Sequence, residues 1–280
     1  MIRNMTPEEQ DDFVAIFPSL NAGLQPRVTG EATPFELPGA YNCIAWTVGI
    51  DDDWINPKQS IEEWDNFYAG YGFEQADAGT IAVWKRGGIF THGSVANAAH
   101  GFNWESKCGE NLRILHENAE LVSNVYGNVF MYYARAENAD TAQPAVSAAA
   151  KAPAMNEKQK AILLHDAVKT ISPAVREEFN QLFDAWKRTW AQGTMAFSNN
   201  ARDRSAAYSY KQLVEMGPEI LPLVVEKLAN PENFIARQLY NDLQAEAGQK
   251  VAIEPGVHRN HGEKLLARQT VERFLQARNK

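Results

Sequence analysis

"GTIAVWKRGGIFTHGSVANA", residues Gly79 to Ala98, holds two short runs of aromatic and β-branched residues parted by glycine. Runs of this kind read as strands, and a glycine break between them reads as the turn of an antiparallel pair. The same signature continues downstream in "FNWESK", "NLRILH" and "NVYGNVFMYYARA", again separated by Gly or Asn. The expectation is an antiparallel meander of roughly four or five strands. Upstream the pattern is helical. Thr6-Pro7-Glu8-Glu9 is a capping-box start with Pro at the first helical position, and Ser60-Ile61-Glu62-Glu63 opens a second helix. In that second helix Ile61, Trp64, Phe67, Tyr68 and Tyr71 share one face. Helices first and sheet second predict an α+β domain over residues 1–138.

Residues 139–156 are rich in alanine, with Pro144 and Pro153, and have too little bulk to build a core, so they read as a linker. Beyond it, residues 157–280 carry helical spacing throughout, with Ser172-Pro173 and Asn230-Pro231 as helix starts. The expectation is an all-helical second domain. The short paired helices around Gly217-Pro218 resemble one unit of a HEAT-like solenoid, without a second copy at a fixed period.

Composition excludes several classes. Of the 280 residues 45% are hydrophobic, yet no apolar run approaches the roughly 18 residues of a membrane span, so no membrane partner is expected. "MIRNMTPEEQDDF" lacks the apolar stretch of a secretory signal, which predicts synthesis in the cytoplasm, with export left to a dedicated secretion system. Net charge is −8, divided as −12 over residues 1–150 and +4 over 151–280. An acidic first half and a mildly basic second half do not make a phosphate-binding surface, so no nucleic acid is expected. Two cysteines support neither a disulfide framework nor a thiolate metal site. His258-x-x-His261-x-Glu263 lacks the i, i+4 spacing of a helical zinc site and reads as a solvated loop, so no metal or organic cofactor is expected.

Cys43 is the residue that asks for chemistry. In "PGAYNCIAW" it follows a Pro-Gly turn and opens an apolar helical run stopped by Gly49. A thiol in the first turn of a helix is favoured as a thiolate; the alternative is a small buried hydrophobe, which free cysteine usually is. A thiolate nucleophile needs a base. His92 lies on a strand whose alternation places Phe90, His92, Ser94 and Ala96 on one face, while His100 falls in a turn and His116 ends a strand as a supporting residue. The returning strand offers Glu105 or Ser106 to orient the imidazole: chemistry leans to Glu105, alternation to Ser106. The backbone N–H of Cys43 and the adjacent Asn42 side chain are the candidate oxyanion donors.

The order of a helix-opening Cys, a strand His and a polar residue on the next strand resembles the papain-like cysteine peptidase and amidase superfamily, nearest its CHAP-type branch. "NCIAW", "THGSV" and "WESKCG" resemble a bacterial family of papain-like domains with Asn-Cys-Ile-Ala-Trp, Thr-His and Trp-x-Ser-Lys signatures, over Pro38 to Arg135. The resemblance implies Cys43 as nucleophile and His92 as base, with Asn42, Trp46, Trp104, Ser106, Lys107 and Gly109 as signature positions. Cys108 fills a slot where an apolar residue is expected. The implied activity is a thiol-dependent amide hydrolase, peptidase or amidase, acting on a protein or peptide. A cell-wall substrate would make the chain a secreted toxin or effector. Glutamine deamidase is the alternative, and the alternative of another class is a non-catalytic module that binds a protein partner through its helical domain.

Overall fold

The computed structural model describes residues 2–20, 23–35, 37–137, 156–251 and 262–279. They fall into two compact units. The first takes the described residues up to 137 together with 192–200, and the second takes the rest. The chain is α+β in the first unit and helical in the second, as the patterning predicts. The linker at 139–156 lies outside the described residues except for Asn156, whose side chain caps the first helix of the second unit.

The first unit is built on one eight-stranded antiparallel sheet. Its strands are β1 (Arg3–Asn4), β2 (Arg27–Gly30), β3 (Phe73–Ala76), β4 (Ile81–Arg86), β5 (Ile89–Ala96), β6 (Trp104–Lys107), β7 (Arg113–His116) and β8 (Asn128–Arg135). They lie in the order β1-β2-β7-β6-β5-β4-β8-β3. The five strands β4 to β8 are those read from the apolar runs. β1, β2 and β3 have two to four residues each and sit at the flanks, too short to carry a period.

Helix α1 (Pro7–Ile16) starts on the Thr6/Glu9 capping box and lays Phe13, with Phe17 just beyond it, on one face of the sheet beside Trp84, Ile114 and Tyr126. Helices α2 (Cys43–Thr47) and α3 (Ile61–Gly70) cover the other face, where Cys43, Ile44, Trp64, Phe67 and Tyr68 pack on Val83, Phe90 and Met131. Neighbouring residues Val83 and Trp84 serve opposite faces, as a pleated strand requires.

One irregularity decides where β5 points its side chains. Trp84 faces His92 across the ladder but Lys85 faces Phe90, so Thr91 is an extra residue, a β-bulge. Simple alternation places Phe90 and His92 together. The bulge separates them: Phe90 joins the Cys43 side of the sheet and His92 turns toward Trp84 and Tyr126.

The helical unit comprises α4 (Glu157–Lys169), α5 (Pro173–Thr189), α6 (Tyr208–Glu215), α7 (Leu221–Leu228), α8 (Ala236–Leu243) and α9 (Glu263–Arg278). Helix α7 is its centre: six of its eight residues are buried, and it packs on α4, α8 and α9. Among the described residues no helix is long and apolar enough to cross a membrane.

Candidate functional site: Cys43, His92 and a distant segment

Asn42 sets the position of the cysteine. Its Oδ1 accepts the Ala45 N–H at 3.0 Å, capping α2, and also the Ile55 N–H at 3.2 Å, while Nδ2 donates to the Ile55 carbonyl at 2.7 Å. These bonds clamp the helix start to the chain thirteen residues on. They also correct the expected oxyanion role of Asn42, because its carboxamide is already committed to the cap and the clamp.

Helix α2 is pressed against β5 at a glycine. A Cβ on Gly93 would stand 2.9 Å from Thr47 Cγ2 and 3.2 Å from Ile44 Cδ1, so only glycine admits the helix this close. The approach brings Cys43 Sγ within 3.2 Å of the Gly93 N–H, which donates to it. A second donor comes from far along the sequence: Asn199 Nδ2 lies 2.7 Å from the same sulfur and 2.9 Å from the Thr91 carbonyl. Cys43 is wholly buried, and burial holds its thiol well above the ordinary cysteine range despite the two donors.

His92 is fixed by stacking and by a chain of hydrogen bonds. Its ring lies flat on Tyr126, centroids 3.7 Å apart at 8°, and meets Trp84 edge-on. Nε2 is 2.9 Å from Ser106 Oγ, and Ser106 Oγ is in turn 2.8 Å from Ser94 Oγ and 2.8 Å from His116 Nε2. His116 Nδ1 faces the Glu117 carbonyl at 2.9 Å, and Trp84 Nε1 donates to Ser94 at 3.0 Å.

Counting protons fixes the His92 ring. Burial keeps both imidazoles neutral, pushing His116 down to about 4 and His92 well below its ordinary value, with the neighbouring His116 adding to the latter. Ser106 Oγ donates its single proton to Ser94 Oγ, so toward His92 Nε2 it can only accept. His92 is therefore protonated at Nε2 and bare at Nδ1, and Nδ1 is buried with no hydrogen-bond partner. A neutral imidazole with a fixed bare nitrogen is the form a general base needs.

The remaining expected residues are placed elsewhere. Glu105 does not orient His92: on the opposite face of β6 from Ser106, it pairs with Arg113 Nε at 3.0 Å and accepts from Asn97 Nδ2 and Thr29. The lean toward Glu105 fails because consecutive strand residues cannot share a face. Lys107 closes the turn after β6, its Nζ donating to the carbonyls of Gly109 and Asn111 beneath the Tyr41 ring, and burial pushes it down to about 7. It is a turn lock and makes no bond to Cys43 or His92. His100 adopts φ +56 in an exposed turn, and Cys108 is a buried member of the α1-side core. His258 and His261 lie outside the described residues; Glu263 pairs with Arg237 at 2.6 Å. Among the described residues no three metal-ligating side chains converge.

Three contributors carried no signal in the sequence. Ser94 and Tyr126 read as ordinary strand residues, and Asn199 stands in "AFSNN" between helical segments.

Residues 28–134 match the model of a family described as Domain of unknown function (DUF7689). The matched segment takes in Cys43, His92, Ser106, His116 and Tyr126, and ends before Asn199. No curated protein and no solved structure matches the chain.

Proposed function

We propose that the first unit is a thiol-dependent amide hydrolase of the papain-like kind, with Cys43 as nucleophile and His92 as general base. The supporting observation is the fixed tautomer of His92. Its Nε2 is tied to Ser106 and its Nδ1 is bare, on a residue whose neighbour Gly93 donates to the Cys43 sulfur; Sγ and Nδ1 make no hydrogen bond while the ring lies on Tyr126, so the pair forms only when the ring turns to the Cys43 face.

In the reaction, the His92 ring first turns from Tyr126 to the Cys43 face, and Cys43 Sγ then attacks the carbonyl carbon of an amide as His92 Nδ1 takes the thiol proton. The tetrahedral oxyanion is met by the Cys43 backbone N–H, which at the first position of α2 has no carbonyl partner within the helix. Collapse expels the amine, which takes the proton from His92, and leaves a thioester on Cys43. Water attacks the thioester, giving its proton to Nδ1, and the carboxylic acid departs as the thiol is restored. Peptidase, amidase and glutamine deamidase share these steps and differ only in the leaving amine, so the proposal covers a protein or peptide amide.

The test is the pH profile of Cys43 alkylation by iodoacetamide, from about pH 4 to 9, read by mass spectrometry for the native chain and for His92→Ala. The shape of the profile reports the thiolate in whatever fraction of molecules is open, independent of the absolute rate. An inflection well below the reference value of about 8.5, lost in His92→Ala, supports the Cys–His pair. A single inflection at the reference value in both chains rejects it and leaves the first unit as a non-catalytic scaffold.

A further inference from the structure

The thiol that the proposed reaction needs is closed off by a piece of chain from beyond the linker. Residues 192–200 belong to the sheet unit, while the residues on both sides of them belong to the helical unit. Within this strap Gln192, Gly193 and Thr194 are exposed, and Ala196 to Asn199 are buried. Phe197 drives the seating: its ring meets Phe13 at 5.0 Å and Phe17 at 5.5 Å, both edge-on. The strap's backbone is held as well. Glu110 N–H donates to the Ala196 carbonyl at 2.9 Å, Tyr126 hydroxyl to the Phe197 carbonyl at 3.1 Å, and Trp54 Nε1 to the Asn199 carbonyl at 3.2 Å.

At the end of the strap the Asn199 carboxamide spans the Cys43 sulfur and the Thr91 carbonyl with its two N–H protons. Its Oδ1 is buried and has no partner. An unpartnered carbonyl at this depth is costly, and its amide nitrogen occupies the ground next to the sulfur that a substrate carboxamide has to enter. Asn199 lies outside the segment that matches the family model, so the part of the chain that closes the thiol is separate from the part that carries it.

We infer that the strap Gln192–Asn200 is an autoinhibitory latch: with Asn199 seated Cys43 is inaccessible, and withdrawal of the strap opens the thiol to substrate. The inference rests on the reading of Cys43 as a nucleophile, but its test does not. Both ends of the strap run into the helical unit, so a protein partner or a cut that displaces either flank acts on the thiol without touching it.

The experiment compares iodoacetamide rates at Cys43 in the full chain and in Asn199→Ala, with hydrogen exchange of the β4 and β5 amides as the monitor of general loosening, since Cys108 packs in the same cluster as Ala196 and Phe197 and follows the strap. Loss of two hydrogen bonds to a buried seat should raise the Cys43 rate by about tenfold or more and leave the β4 and β5 amides unchanged. No change at Cys43, or an equal acceleration of β4 and β5 exchange, overturns the latch. Hydrogen exchange on the unmodified chain gives an independent reading. Amides of 195–200 should exchange about a hundredfold faster than those of β4 and β5, and equal protection makes the strap a fixed part of the core and overturns the latch. The two proposals fail separately. An Asn199→Ala chain that opens Cys43 but shows only the reference inflection keeps the latch and rejects the Cys–His pair. A native chain already fast at Cys43 with a low-pH inflection does the reverse.

Discussion

Ser106 Oγ stands 2.9 Å from His92 Nε2 and can only accept from it, because its single proton goes to Ser94 Oγ at 2.8 Å. A serine on the neighbouring strand thereby dictates which nitrogen of His92 carries a proton. Ser106 is the hinge of this logic, since it accepts two hydrogen bonds and donates one.

Replacing Ser106 by Ala removes that hinge, leaves His92 Nε2–H and His116 Nε2 without a partner in the buried core, and leaves Ser94 with Trp84 Nε1 alone. The expected destabilisation is about 3 kcal/mol, from the desolvated groups rather than from the lost bonds themselves. Urea denaturation measures it, and a loss under about 1 kcal/mol shows that the relay closes in another way.

Stability should fall as the solution is acidified through the histidine range. Both imidazoles are held neutral in the folded chain, with His116 at about 4, whereas an unfolded histidine takes a proton near about 6.5. Below that value the unfolded chain binds more protons than the folded one. The stabilisation is thus complete above about 6.5 and is lost progressively toward the folded values, by up to about 1.4 kcal/mol per pH unit for each ring. Denaturation midpoints at about pH 7.5 and 5 should differ by about 2 kcal/mol per histidine, and His116→Gln should remove about half of the slope. A slope untouched by that substitution places the titration elsewhere.

Gly109 offers a way to unseat the strap from the other side. It holds φ +62, and a Cβ there would run into the Ala196 carbonyl and the Phe197 backbone. Gly109→Ala should cost about 1–3 kcal/mol through strain and displacement. It should also raise Cys43 alkylation in the same direction as Asn199→Ala. Lower stability without faster alkylation of Cys43 separates strap from thiol.

Asn42→Ala tests the clamp on α2. The substitution leaves the Ala45 and Ile55 N–H groups and the Ile55 carbonyl unpaired, for about 2 kcal/mol of lost stability. Asn42→Asp keeps the accepting oxygen but sets a carboxylate oxygen in place of Nδ2 against the Ile55 carbonyl at a buried site, so it should lose at least as much as Asn42→Ala in the same denaturation assay. A smaller loss for Asp than for Ala shows that the Nδ2 bond contributes nothing to the clamp.

Much of this architecture is legible in the residues because it is written locally. The capping box at Thr6 and the side-chain cap at Ser60 mark helix starts, and alternating apolar runs mark β4 to β8, since each depends on neighbours within a few positions. The bulge at Thr91 is not local: it exists because β4 and β8 shift register together around Trp84, and it turns Phe90 and His92 to opposite faces. Ser106 over Glu105 was decidable from alternation with Trp104 once the inward face was known. Asn199 was out of reach, for nothing in "FSNN" records that a strand far earlier in the chain has an open carbonyl at Thr91 and a sulfur beside it.

The strap also sets a timetable for the ribosome. The aromatic seat formed by Phe13, Phe17 and Tyr126 is made early in synthesis, but the ring that fills it, Phe197, emerges only after helices α4 and α5. Until then the nascent sheet unit carries a greasy socket on its α1 side, open to chaperones or to the wrong chain. A fragment cut at the linker keeps that socket permanently, so the segment that looks like a free-standing domain in the sequence is an unfinished folding unit.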